Sequence, residues 1–170
     1  MSDRINQSQL SKLLIEVFQS SKKFFENLES FNFKTTYKPD NSPLTILDKK
    51  IDFYIKEELN KFRNDFSVIS EESGQKKLDS EYVWIIDSID GTKELISGSD
   101  EFTINIALIQ NKLPIFGGIY QPLKDTIFLG GSDLSPVKIK GTKTLALKNQ
   151  ENELCNIVIS KSHSSDRERE

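Results

Sequence analysis

Apolar residues recur at Leu10, Leu13, Leu14, Val17, Phe18, Phe24, Phe25 and Leu28. That spacing keeps one face of a helix apolar over Gln9 to Leu28. Phe31 to Lys38 alternates with the period of a strand until "KPDNSP" interrupts it with two prolines. A second helix follows over "TILDKKIDFYIKEELNKF", with Ile46, Leu47, Ile51, Tyr54, Ile55, Leu59 and Phe62 in one stripe and Thr45 as a cap. The period then shortens. "FSVISEE" and "YVWIID" are short buried strands that each end on acids, separated by the solvated loop "SGQKKLDSE". A turn and short helix over "DGTKELISG" lead into "FTINIALI", "LPIFGGIYQPL" and "DTIFLGG" as successive strands, and "NIVIS" is a last apolar strand. Helices followed mostly by strands predict an α+β or layered α/β fold.

A chain of 170 residues suits one domain, expected here over 1–170. The formal net charge of -3 gives no broad basic field, which argues against a nucleic-acid polymer as partner. An anionic ligand would have to be drawn by local dipoles or bound cations. The single cysteine, Cys155, excludes an internal disulfide and reads as a small residue near a strand. No run approaches the roughly 18 apolar residues of a membrane span, and the start has no signal-like apolar core. A cytoplasmic protein without a transmembrane segment is the expectation, with peripheral association at the inner membrane compatible with it.

The acids change the picture. Glu71 follows "FSVIS" and Asp87 ends "YVWII", with Asp90 three positions on. Ligands of layered sheets sit beyond the carboxyl ends of strands, so neighbouring strands would bring these three carboxylates to one rim. Such a group repels itself unless protonated or neutralised, and a hard divalent cation neutralises it. Each acid also has a plain reading. Glu71 and Glu72 open a polar loop, Asp87 terminates a strand, and Asp90 caps a helix. Capping needs one acid, however, and this rim holds three. Gly91 lets the backbone approach a ligand, and a helix starting at Thr92 would turn its first N–H groups toward an anion. Asp48 is a candidate to polarise the Thr92 hydroxyl, or simply a first-turn acid favoured by the helix dipole. Carboxylates on one side and phosphate-seeking amides on the other describe metal-assisted phosphoryl hydrolysis.

"DNSPLTILD", "ISEES", "WIIDSIDGTKE" and "EFTINIALI" resemble, in order and at suitable spacing, segments of the inositol monophosphatase superfamily of Mg²⁺-dependent phosphatases. "DGTKE", "EFTINIALI" and "ISKSH" are most similar to its 3'(2'),5'-bisphosphate nucleotidase branch of the CysQ type, where inositol phosphatases read D-G-T-T-N-F. The resemblance implies the sugar-phosphatase fold, its first part being two helices packed on a mostly antiparallel multi-stranded sheet. It implies that Glu71, Asp87 and the Ile89 carbonyl bind one Mg²⁺, that Asp87 and Asp90 hold a second, and that Glu71 helps with a weaker third; Mn²⁺ would substitute. Gly91 and Thr92 would meet the phosphate through their amides, with Glu71, Ile89 and Asp90 around the substrate. Thr92 paired with Asp48 would help activate water that Glu71 also orients, making Asp48, Glu71 and Thr92 the catalytic set. Ser160 and His163 would lie near the nucleotide's other phosphate or its sugar. The activity implied is hydrolysis of adenosine 3',5'-bisphosphate to AMP and phosphate, a reaction of sulfur metabolism.

Three positions depart from the family pattern. Ser88 stands where D-P-x-D has proline, and Leu95 where phenylalanine is usual. A later W-D-x-A-A-G segment, whose Asp completes the second metal site, has no counterpart, since Trp84 is the single tryptophan. The expectation is therefore an N-terminal metal-binding lobe with exposed apolar surface on its last strands, open to pairing with another chain such as a homodimer. An inositol monophosphatase-like enzyme and a non-catalytic metal-binding fragment are the alternatives.

Overall fold

The computed structural model describes residues 6–26, 28, 35–37, 43–73 and 80–148. The elements are α1 (Gln7–Ser21), β1 (Thr35–Tyr37), β2 (Pro43–Thr45), α2 (Ile46–Phe62), β3 (Ser67–Ser70), β4 (Tyr82–Asp90), α3 (Thr92–Ile96), β5 (Thr103–Gln110), β6 (Leu113–Gln121), β7 (Thr126–Gly131), β8 (Leu134–Lys140) and β9 (Lys143–Ala146). β1 and β2 form a small antiparallel ribbon. β3 to β9 form a seven-stranded sheet in sequence order, antiparallel throughout except for the parallel β3–β4 pair. This is the layered α+β arrangement read from the sequence.

α1 and α2 cover one face of the sheet. Leu10, Leu14, Val17 and Phe18 of α1 and Leu47, Ile51, Ile55 and Leu59 of α2 pack with Trp84, Ile86, Ile104, Ile106, Leu108, Tyr120, Ile127 and Leu129. The α1 contact is so close that a Cβ on Gly118 would lie 2.8 Å from the side chains of both Phe18 and Leu129. Phe18 stacks on Tyr120 with 5.5 Å between ring centroids. Burial, and then the Asp125 carboxylate, push the Tyr120 phenol above its ordinary pKa.

The other face lacks a helix among the described residues. Ile85 and Ile119 are 43% and 46% exposed there, and a cavity of about 460 Å³ runs over them between Asp87, Asn105 and Phe128. No helix among the described residues is long and apolar enough to cross a membrane.

The elements differ from the sequence reading in instructive places. α1 ends at Ser21 and tightens into a 3₁₀ turn over Lys22–Phe25, where the Ser21 hydroxyl donates to the Phe18 carbonyl at 2.7 Å and competes with the helical ladder. Ile46 leaves the α2 stripe and is 46% exposed, because the first residue of the helix faces away from the sheet. β8 and β9 were not legible: Lys138, Lys140 and Lys143 break their apolar pattern, and such lysines are common toward sheet edges. The expected strand "NIVIS", with Cys155, Ser160 and His163, lies outside the described residues, as do Phe31 to Lys34.

Candidate active site at the carboxyl ends of β3 and β4

α2 starts with a capping box. Thr45 Oγ1 accepts hydrogen bonds from the amides of Leu47 and Asp48 at 3.1 and 3.3 Å. In return Asp48 Oδ2 accepts from the Thr45 amide at 2.8 Å and from the Thr45 hydroxyl. Asp48 is 1% exposed, so its charge depends on such donors. Its other oxygen, Oδ1, accepts from Thr92 Oγ1 at 3.0 Å. Each carboxylate oxygen of Asp48 thus has its own partner, Oδ2 the cap residue Thr45 and Oδ1 the Thr92 hydroxyl.

Thr92 is the first residue of α3, a helix of five residues preceded by Gly91 in the left-handed region at φ 96°. A Cβ at Gly91 would come within 3.0 Å of the Glu101 carbonyl and 3.1 Å of Phe102 Cβ. This turn therefore demands glycine both for its dihedral and for space. The Thr92 hydroxyl also lies 3.2 Å from the Ile89 carbonyl. It has one proton, and the shorter contact, to the Asp48 carboxylate, takes the larger share.

The placement of the acids follows from sheet geometry. β3 and β4 are parallel, and Ser70 level with Ile86 is the last pair of their ladder, so Glu71 and Asp87 are each the next residue after it. Glu71 begins a 3₁₀ turn that packs against β4 and α2. β4 does not stop at Asp87, as expected, but continues to Asp90 through a bulge. Asp87 pairs with Asn105 and Asp90 with Thr103, so three steps on β4 match two on β5. Ser88 and Ile89 both turn inward, 1% and 4% exposed. In a regular strand, residues three apart face opposite sides; the extra residue returns Asp90 to the side of Asp87.

The candidate metal ligands consequently share one rim, but their side chains do not form a ready-made cage. Among the described residues, no three His, Cys, Asp or Glu side chains are gathered closely enough to hold an ion. Glu71 and Asp90 are exposed and Asp87 is half-buried, with its Oδ1 atom sealed from solvent. The donor set still has a definite chemistry: three carboxylates and the Ile89 carbonyl offer oxygen only, the preference of Mg²⁺ rather than of softer metals.

One polar residue at the rim had no role in the sequence reading. Asn105, inside "EFTINIALI", donates from Nδ2 to Asp90 Oδ2 at 3.3 Å and accepts at Oδ1 from Thr103 Oγ1 at 3.0 Å. The signal was a polar residue at an alternating position of an otherwise apolar strand, but only the pairing with β4 discloses what it faces.

A profile described as "Inositol monophosphatase family" matches residues 6–170. A 3'(2'),5'-bisphosphate nucleotidase CysQ from Buchnera aphidicola is 33% identical over 135 residues, covering 77% of this chain and 51% of that protein. A fructose-1,6-bisphosphatase/inositol-1-monophosphatase from Aquifex aeolicus is also 33% identical, over 140 residues, covering 79% of this chain and 50% of that protein. The crystal structure of CysQ from Bacteroides thetaiotaomicron superposes with a TM-score of 0.68 at 27% identity, covering 96% of this chain and 68% of that one. The chain spans about half the length of the curated relatives it matches.

Proposed function

This chain belongs to the inositol monophosphatase family, and from that premise we propose that its protein is a Mg²⁺-dependent phosphomonoester hydrolase acting as a 3'(2'),5'-bisphosphate nucleotidase, which converts adenosine 3',5'-bisphosphate to AMP and phosphate. The observation that carries the reaction type is the 3.0 Å bond from Thr92 to buried Asp48 beside a rim of oxygen donors. The nucleotide as substrate is supported by "DGTKE" and by the CysQ relatives.

Glu71, Asp87, Asp90 and the Ile89 carbonyl would hold the metal. Bound there, Mg²⁺ supplies positive charge that offsets the carboxylates, attracts a phosphate dianion and stabilises the charge that develops on transfer. Asp48 holds the Thr92 proton, so the hydroxyl lone pairs are left to accept a hydrogen bond from the attacking water. Glu71 orients the same water. Gly91 and Thr92 offer backbone amides to the phosphate, at a turn held in its left-handed conformation by glycine. Residues 1–170 serve in this reading as the metal-binding lobe. Ser160 and His163 would contact the far phosphate or sugar.

The Aquifex relative favours a second reading, an inositol monophosphatase-like enzyme. Phosphate release by the full-length protein, measured with Mg²⁺ on adenosine 3',5'-bisphosphate and on inositol 1-phosphate, separates them. A higher kcat/KM on the nucleotide is expected. A clear preference for the inositol ester would replace the first reading with the second.

A further inference from the structure

Asn105 lies on β5, beside the two acids of β4 and on the side away from Glu71. It is the register partner of Asp87 across β4–β5, so its side chain stands on the same face as that acid. Because the bulge returns Asp90 to this face, the Asn105 amide also reaches Asp90 along the diagonal, at 3.3 Å. Its orientation is determined by its neighbours. Turned over, the amide would set its oxygen against the Asp90 carboxylate; as it stands, that oxygen receives the Thr103 hydroxyl at 3.0 Å and the NH₂ group faces the anion. Only Oδ2 of Asp90 is engaged by these bonds, so Oδ1 is left to a cation.

We propose that Asn105 is a positioning residue for Asp90, held in its donating orientation by Thr103, and that the Thr103–Asn105–Asp90 chain sets the rim's affinity for divalent metal. The inference rests on the reading of Asp90 as a metal ligand. Asp90 ends a strand on the exposed side of a bulge, and without a fixed donor its side chain would have to be ordered at the moment of binding. Asn105 makes that ordering part of the fold. Outer partners of this kind typically change metal affinity or activity by about 10–100-fold when removed.

The test is Mn²⁺ binding by the full-length protein, followed by the electron paramagnetic resonance signal of the free ion, with thermal unfolding of the metal-free protein alongside. Asn105→Leu, close in volume but without donors, is expected to weaken binding about 10-fold or more. Thr103→Val, which keeps the β-branched shape on β5, is expected to weaken it in the same direction by less, with an unchanged unfolding midpoint. Asp90→Asn serves as the reference for loss of the ligand itself. Wild-type affinity in both Asn105→Leu and Thr103→Val, beside a weakened Asp90→Asn, overturns the positioning role alone. An Asp90→Asn protein that binds Mn²⁺ as the wild type does would overturn the ligand reading, and this inference with it.

Discussion

Thr92 Oγ1 donates to Asp48 Oδ1 at 3.0 Å across 44 positions of sequence, joining the first turn of α3 to the first turn of α2. The bond couples a hydroxyl at the candidate reaction centre to a carboxylate that also caps a core helix. Asp48 is thereby held from two sides, and the site inherits the rigidity of α2.

Removing the hydroxyl should therefore affect chemistry more than folding. Thr92→Ala is expected to lower kcat of the full-length protein about 100-fold, the lower range for loss of a proton-handling group, with the Mg²⁺ concentration for half-maximal rate unchanged. Steady-state rates across a Mg²⁺ series measure both quantities. An equal loss of metal affinity would make Thr92 a structural residue.

The two oxygens of Asp48 can be addressed separately. Thr45→Ala deletes the cap hydroxyl and should cost about 1 kcal/mol of stability in denaturant unfolding, within the usual range for such caps, while most of the activity persists. Asp48→Ala should lose a similar or larger stability increment and also the turnover that depends on Thr92. Full activity in Asp48→Ala would leave the capping box as the sole role of this acid.

Asp87→Asn is expected to abolish Mg²⁺-dependent phosphate release, and chelation by EDTA should do the same to the wild type until Mg²⁺ is restored. Asp87 follows directly on Ile86, the last β4 residue paired with β3, and lies on the face of Asp90, so it stands between the end of β3 and Asp90. Near-normal rates in Asp87→Asn would contradict the ligand assignment.

Ser88 supplies a stability prediction. Its Oγ is buried without a hydrogen-bond partner among the described residues, a condition that costs about 1–3 kcal/mol when a polar atom loses water without replacement. Ser88→Ala should leave phosphate release intact and raise the unfolding midpoint, and Ser88→Pro should leave activity intact or improved. A lower midpoint for Ser88→Ala would reveal a partner for the hydroxyl.

Gly91 tests the turn. An alanine there must adopt φ 96° and push against the Glu101 carbonyl 3.0 Å away. Gly91→Ala is expected to destabilise by more than about 1 kcal/mol and to reduce activity, read by thermal unfolding and initial rates. A silent substitution would mean that the turn relaxes without consequence.

How much was legible depended on how local each determinant is. Helical periodicity located α2 to the residue, since Thr45, Leu47, Asp48 and Ile51 carry cap and stripe within two turns. The apolar runs located β3 to β7 for the same reason. β8 and β9 escaped because successive hairpin pairing, β8 to β7 and β9 to β8, makes them strands, not any strong pattern of their own. The acids at strand ends identified the rim, but not their spacing around it.

By itself the sequence determined the α-then-β order of the elements, the oxygen-only chemistry of Glu71, Asp87 and Asp90, and the glycine turn before Thr92, because residue type and short-range period suffice for these. Which face each acid occupies was decided by tertiary structure. Period-two alternation would part Asp87 from Asp90; pairing with β5 inserts one extra residue between them and brings both to the same side. The bond from Thr92 to Asp48 and the amide of Asn105 facing Asp90 exist for the same reason. They join segments that meet only when α2, β4 and β5 pack together, and no local pattern encodes that meeting.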